Sequence, residues 1–146
     1  MDTQNITRKV MLVGETLVGK SSLIRTLSAG DYSPRRAMAV EYHGRFINTP
    51  GEFLENRRFY NALITTSADC DVLLLVQDAT RKNSLFPPLF ASMFNRRVVG
   101  IISKIDDPAA NRERAIAFLR NAGVKEFYAT GIISGDGLDE LRRALA

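Results

Sequence analysis

The chain has a single cysteine, Cys70, and a single histidine, His43. A lone thiol closes no internal disulfide, so no cross-link within the chain shapes the fold. Cys70 stands just before an apolar run and reads as a small buried hydrophobe. His43 falls in a stretch that reads as a hairpin, and it is assigned to a strand and not to acid–base chemistry. No apolar run approaches the roughly 20 residues that cross a bilayer. The longest, Val72 to Val76, has strand length. The opening residues, MDTQNITRKV, lack the apolar core of a secretory leader. A cytoplasmic protein with no membrane partner is expected. Repeats, linkers and low-complexity segments are missing too. The 146 residues therefore read as one domain over 1–146, with 1–7 a flexible N-terminal extension.

Basic residues outnumber acidic ones, 20 to 16. The arginines nevertheless fall as scattered pairs: Arg35-Arg36, Arg57-Arg58, Arg96-Arg97 and Arg142-Arg143. No basic helix or aromatic-interleaved patch results, and nucleic acid is not an expected partner. A solvated surface or an anionic partner protein accounts for the excess charge.

What is present is alternation. Residues 8–13 are a short apolar strand ending in glycine. Lys20 to Leu27 has a helical face of Leu23, Ile24 and Leu27. Residues 31–38 read as an irregular loop. Val40–His43 and Arg45–Ile47 flank Gly44 as a tight hairpin. Phe53 to Ala68 reads as a helix with Phe59, Leu63 and Ile64 inward. Asp71–Val76 is a strand buried on both faces. Ser84–Phe94 reads as a helix entered through Pro87-Pro88, with Phe86, Phe90 and Phe94 as core. Val98–Ile102 is a strand, Pro108–Asn121 a helix, Lys125–Tyr128 a strand and Leu138–Leu145 a helix. This order predicts an α/β fold: a doubly wound, three-layer sheet, mostly parallel, with one antiparallel hairpin strand. Ligands of such sheets bind at the carboxyl ends of the strands.

Gly14-Glu-Thr-Leu-Val-Gly-Lys-Ser21 (GETLVGKS) fits G-x-x-x-x-G-K-[ST] and sits between a strand and a helix, as the motif requires. Its glycines let backbone N–H groups turn inward toward phosphate oxygens at a helix N-terminus. Lys20 would reach the β- and γ-phosphates, and Ser21 would offer a hydroxyl to Mg²⁺. Gly14, Glu15, Val18, Gly19, Lys20, Ser21 and Ser22 are the phosphate candidates, joined by Gly51 of the Thr49-Pro-Gly51 turn.

Ser103-Lys-Ile-Asp106 (SKID) follows the strand at 98–102 and is similar to the N/T-K-x-D signature of GTPases. Asp106 can accept from two donors on the Watson–Crick edge of guanine. Adenine presents an acceptor where guanine has N1–H, which leaves that carboxylate mismatched. The stem of Lys104 can lie along the base. Ser103 is shorter than the usual Asn or Thr. A helix cap at Asp106 is the plainer alternative. Further on, TGIISGDGLDEL (130–141) resembles the S-A-x-x-G-x-G-L-x-E-L tail of small GTPases. It puts Gly131 where that tail has serine. Thr130, Gly131 and Ile132 are therefore base candidates through their backbone.

Further stretches narrow the resemblance. TPGEFLEN (49–56), YNALI (60–64), Ala39-Val-Glu41 and NRRVVG (95–100) resemble the EutP/PduV family of small P-loop proteins. The resemblance is collinear from about residue 8 onward. It implies a bacterial host and an ethanolamine- or propanediol-utilising microcompartment. It implies shell attachment through the N-terminus in some members, and acetate kinase activity for EutP-type members. The chain departs from the pattern on its metal side. Asn48 stands where an aspartate is usual, keeping an oxygen but losing the charge. Ala37 falls where a metal-binding threonine belongs. Arg36, after Arg35, is a candidate charge-stabilising finger in cis, and Glu52 a candidate for handling a proton or water.

The expectation is a nucleotide-binding accessory protein that holds GTP or GDP with Mg²⁺, ATP remaining open, and hydrolyses slowly. Ser21, and Asn48 through water, would hold the metal. An ATP-dependent acetate kinase, or a structural microcompartment-binding domain with a vestigial P-loop, are the alternatives. A shell or cargo protein is the expected macromolecular partner.

Overall fold

The apolar run at Val72 becomes an interior strand whose every residue is buried. A computed structural model of the chain describes residues 6–28 and 39–146. The strands are β1 (Val10–Val13), β2 (Glu41–His43), β3 (Phe46–Asn48), β4 (Val72–Asp78), β5 (Arg97–Ser103) and β6 (Phe127–Ala129). The helices are α1 (Lys20–Leu27), α2 (Glu52–Glu55), α3 (Tyr60–Ser67), α4 (Arg112–Asn121) and α5 (Leu138–Leu145). The six strands form one sheet in the order β2-β3-β1-β4-β5-β6. β2 and β3 pair antiparallel, and every other pair is parallel. Gly44 turns the hairpin at φ +56° while Arg45 keeps a negative φ, which fits a type II′ turn.

Alternate strand residues face opposite sides of the sheet. Val10, Leu12, Leu74, Val76 and Ile101 pack with Leu23, Ile24 and Leu27 of α1 and with Leu138, Leu141 and Leu145 of α5. Met11, Val13, Leu73, Leu75 and Ile102 pack with Leu54, Leu63 and Leu119 of α2, α3 and α4. Helices thus flank both faces. Ile6 is already buried in the first of these clusters. Residues 1–5 of the expected extension, and the expected loop at 31–38 with Arg35, Arg36 and Ala37, lie outside the described residues.

Three expected helices are shorter than their patterns suggest. The helix over 53–68 is interrupted at Asn56, which turns extended (φ −130°, ψ 116°). Its side-chain oxygen accepts from the Arg58 N–H at 3.2 Å, a local bond that competes with the helix and starts a 3₁₀ turn at Arg57–Phe59. Ile64, expected inward, is exposed; Leu63 faces the core as expected, joined by Ser67. No helix forms over 84–89. Phe86 and Pro87 each precede a proline, which disfavours helical backbone, and only a 3₁₀ turn at Phe90–Met93 remains. The phenylalanines are core all the same. Phe90 packs against Phe86, Phe94 and Tyr60, with centroids 5.6, 5.2 and 5.4 Å away. The helix expected from Pro108 begins at Arg112, because Asn111 caps it by accepting from the Arg114 N–H.

Cys70 is buried beside α3, its thiol donating to the Ser67 carbonyl at 3.3 Å. Three of the paired arginines bond within the fold. Arg96 donates to the carbonyls of Cys70 and Ala68 after α3. Arg97 pairs with Glu126 at 2.6 Å, and Arg142 bonds Asp139 and the Thr26 carbonyl.

Gly100 lies mid-strand in β5. A Cβ there would meet Leu119 at 2.9 Å and Phe127 and Val124 at 3.1 Å. Gly100→Ala should therefore overpack the core and cost about 1–3 kcal/mol. A lower urea midpoint with an unchanged slope is the expected readout.

Candidate nucleotide site

The carboxyl ends of the parallel strands open onto one edge of the sheet. Gly14 follows β1, Thr49 follows β3, Asp78 ends β4, Ser103 ends β5 and Thr130 follows β6. Every group of candidate residues, those outside the described segments excepted, is delivered to this edge.

The phosphate loop is sterically determined. A Cβ on Gly14 would stand 2.8 Å from both Val18 Cγ2 and the Val76 carbonyl, so only glycine fits. Gly19 precedes α1 at φ +108°, and no side chain caps the helix. The first-turn N–H groups of α1 therefore have no side-chain acceptor and suit an anion. Lys20 is buried, and its ammonium donates to the Gly14 and Glu15 carbonyls at 2.7 and 2.9 Å. Burial pushes its pKa down to about 8, against the opposing pull of Glu55, Glu52 and Glu15; Arg81 adds to the lowering. Ser22 is exposed at the helix start, and Val18 is buried beneath the loop.

The two metal candidates meet. Asn48 Nδ2 lies 3.4 Å from Ser21 Oγ. Both side chains are neutral, and among the described residues no group of three or more His, Cys, Asp or Glu could hold a metal. Thr49 Oγ1 donates to the Leu12 carbonyl at 2.7 Å and anchors the Thr-Pro-Gly turn. Gly51 then presses on the loop so closely that any Cβ would collide with Thr16. Glu52 opens α2 beside it.

The base side is tied to the phosphate side. Ser103 Oγ donates to the Val18 carbonyl at 2.7 Å. Lys104, at φ +60°, donates to the Leu17 carbonyl at 2.7 Å and pairs with Asp78 at 2.9 Å. Asp106 Oδ2 accepts from the N–H groups of Ile133 and Ser134, both at 2.9 Å. This explains Gly131, because a Cβ there would stand 2.8 Å from that same carboxylate oxygen. The Thr130 N–H donates to the Ile102 carbonyl, fixing the loop to β5. A cleft of about 470 Å³ is lined by Val18, Gly19, Ser22, Ser103, Lys104, Asp106, Thr130 and Ile132, with Leu23, Asp107, Pro108 and Ile133.

Sequence reasoning missed three groups here. Arg81 pairs with Glu15 at 2.6 Å and donates to the Thr16 carbonyl at 2.8 Å. Glu55 accepts from the Thr16 N–H at 2.9 Å. Asp78 is buried, which alone would raise its pKa, yet bonds from Thr80 and Lys104 hold it below the ordinary carboxylate value. Its signal is legible: an acid closing a strand that opens on the apolar run VLLLV. Arg81 and Glu55 reach the loop across long sequence separations and carried none.

With this geometry in place, the comparisons decide the family. A model of the PduV-EutP family, described as ethanolamine utilisation – propanediol utilisation, matches residues 7–146. The chain belongs to the PduV-EutP family. It is 31% identical over 135 residues to the propanediol utilization protein PduV of Citrobacter freundii, covering 92% of this chain and 90% of that one. It is 37% identical over 123 residues to the probable acetate kinase EutP of Salmonella typhimurium, covering 82% and 76%. It is also 31% identical over 161 residues to the GTPase Era of Afipia carboxidovorans, covering 94% of this chain but 52% of that one. The chain thus spans about half the length of Era. In this PduV-EutP chain the loop at 14–21 and the turn at 103–106 line the same cleft.

The lowered pKa of Lys20 gives binding a pH signature. Between about pH 7, above the phosphate's own pKa of about 6, and about pH 8 the amine is already protonated, and affinity for a phosphate-bearing ligand should stay level. Above it, phosphate must restore the lost proton, and affinity should fall by about tenfold per pH unit. Titrations of a nucleotide, whose phosphates are fully ionised across that range, read the slope.

Proposed function

We propose that this chain is a nucleotide-binding accessory protein of an ethanolamine- or propanediol-utilising system, taking GTP or GDP in preference to adenine nucleotides and hydrolysing GTP slowly. The observation that carries the reading is the shared cleft: Gly19 at the N-terminus of α1 and Asp106 after β5 line one cavity. A ligand with a phosphate at one end and a hydrogen-bonding ring at the other suits it. The N–H groups of Ile133 and Ser134 hold the Asp106 carboxylate in the cleft wall. A carboxylate matches the N1–H and amino group of guanine. Similarity to Era, named a GTPase, supports the same choice.

The strand order, with helices on both faces, supports a Ras-like three-layer fold in a single domain over 1–146. Mg²⁺ bound with the nucleotide would neutralise phosphate charge, held by Ser21 and, through water, by Asn48. Neither residue supplies a negative charge, so the phosphates must provide the anionic ligands. Slow hydrolysis follows, because phosphoryl transfer depends on positioning and charge neutralisation. Glu52, at the start of α2, is the candidate for orienting water, and Arg36 the candidate for an added positive charge. A shell or cargo protein of a microcompartment is the proposed partner, placing the protein in the cytoplasm at the compartment surface.

A second reading, acetate phosphorylation with ATP, rests on the likeness to proteins named probable acetate kinases. It requires ADP release that depends on added acetate.

Asp106→Ala should weaken GTP at least about tenfold while changing ATP by less than about twofold, since it removes a base contact worth ~1.4 kcal/mol or more. Equal losses for both nucleotides would reject a guanine site, and no saturable binding by the parent protein would leave only a structural role. Asn48→Asp should raise the GTP hydrolysis rate and sharpen its Mg²⁺ dependence. A phosphate-release assay across Mg²⁺ concentrations measures both, and an unchanged rate counts against the metal account.

A further inference from the structure

We infer that Glu55 is a specificity gate: its carboxylate occupies the corner of the phosphate loop that a terminal phosphate needs, so the closed site prefers a nucleoside diphosphate to a triphosphate. The inference rests on the nucleotide-binding reading above.

Three observations converge on Thr16, in the outer turn of the loop. Its N–H is taken by Glu55 Oε2 at 2.9 Å. Its carbonyl is taken by Arg81 at 2.8 Å, and Arg81 also holds Glu15 at 2.6 Å. Gly51 packs against Thr16 with no room for a Cβ. The segment from Gly51 to Glu55 therefore lies directly on the loop. Glu55 is also the foremost of the three carboxylates whose field acts on the Lys20 ammonium. A P-loop lysine of this kind serves the β- and γ-phosphates. Glu55 thus lends its negative charge to the groups that a γ-phosphate would use.

A diphosphate can use the α1 N-terminus and leave this corner closed. A third phosphate brings added negative charge toward Glu55 and Glu52, and the two cannot share the same donors. The gate is built to move. α2 has only 4 residues, buries only Leu54, and ends where Asn56 turns extended. A short element with one buried anchor opens at low cost. Occupancy by a triphosphate would then be reported as displacement of 52–56, next to the exposed Arg57 and Arg58.

The test compares GTP and GDP affinities of the full chain with those of Glu55→Gln, which keeps size and an acceptor but removes the charge. Fluorescent analogues of both nucleotides serve as probes. The variant should bind GTP about tenfold tighter relative to GDP than the parent does, with GDP itself changed less than about twofold. An unchanged ratio overturns the gate and leaves nucleotide binding intact. Absence of any binding by the parent overturns both. Hydrogen exchange on the parent protein provides a second reading that needs no variant. Amides of 52–56 should exchange faster with a non-hydrolysable GTP analogue than with GDP, and equal rates overturn the gate.

Discussion

The carboxylate of Asp78 joins the two halves of the site. It is almost fully buried at the end of β4, next to Ser103 in the pairing of β4 with β5. A buried charge must be compensated, and two cations converge on it: Lys104 at 2.9 Å and Arg81 at 3.7 Å. Each cation also grips the phosphate loop, Lys104 through the Leu17 carbonyl and Arg81 through Thr16 and Glu15. One acid thereby sets the spacing between the glycine-rich loop and the carboxyl end of β5. Ser103 adds a neutral tie of the same kind, to Val18.

The parts of this molecule that were legible in the sequence are those governed by local sterics and by period. The buried strand at Val72 announces itself by unbroken apolar character, and α1 and α5 by their apolar faces. GETLVGKS carries its glycines for reasons visible at close range, as the crowding around Gly14 illustrates. Legibility fails where a side chain competes with backbone or reaches across the chain. Asn56 breaks a helix that its neighbours favour. The prolines at 87 and 88 leave an apolar stripe packed without a helix. Gly131 looks like a lost serine in one dimension, and in three it makes room for Asp106.

The metal corner and the acidic segment beside it are two sides of one electrostatic balance. Asn48 removes a negative charge from the phosphate edge, whereas Glu15, Glu52 and Glu55 place three close to Lys20. A site rearranged in this way can still hold a nucleotide through backbone donors, because those donors carry no net charge to be cancelled. Lys20 itself is held by the carbonyls of Gly14 and Glu15 and by the field of these three glutamates.

Cys70 has a consequence beyond packing. Burial pushes its thiol up to about 11, although Arg96 pulls the other way. At neutral pH about one thiol in ten thousand is then ionised, and only the thiolate attacks electrophiles or forms mixed disulfides. The single sulfhydryl of this chain is therefore chemically quiet. Oxidants and alkylating metabolites would pass it by, and any redox sensitivity of the folded protein would have to come through its methionines.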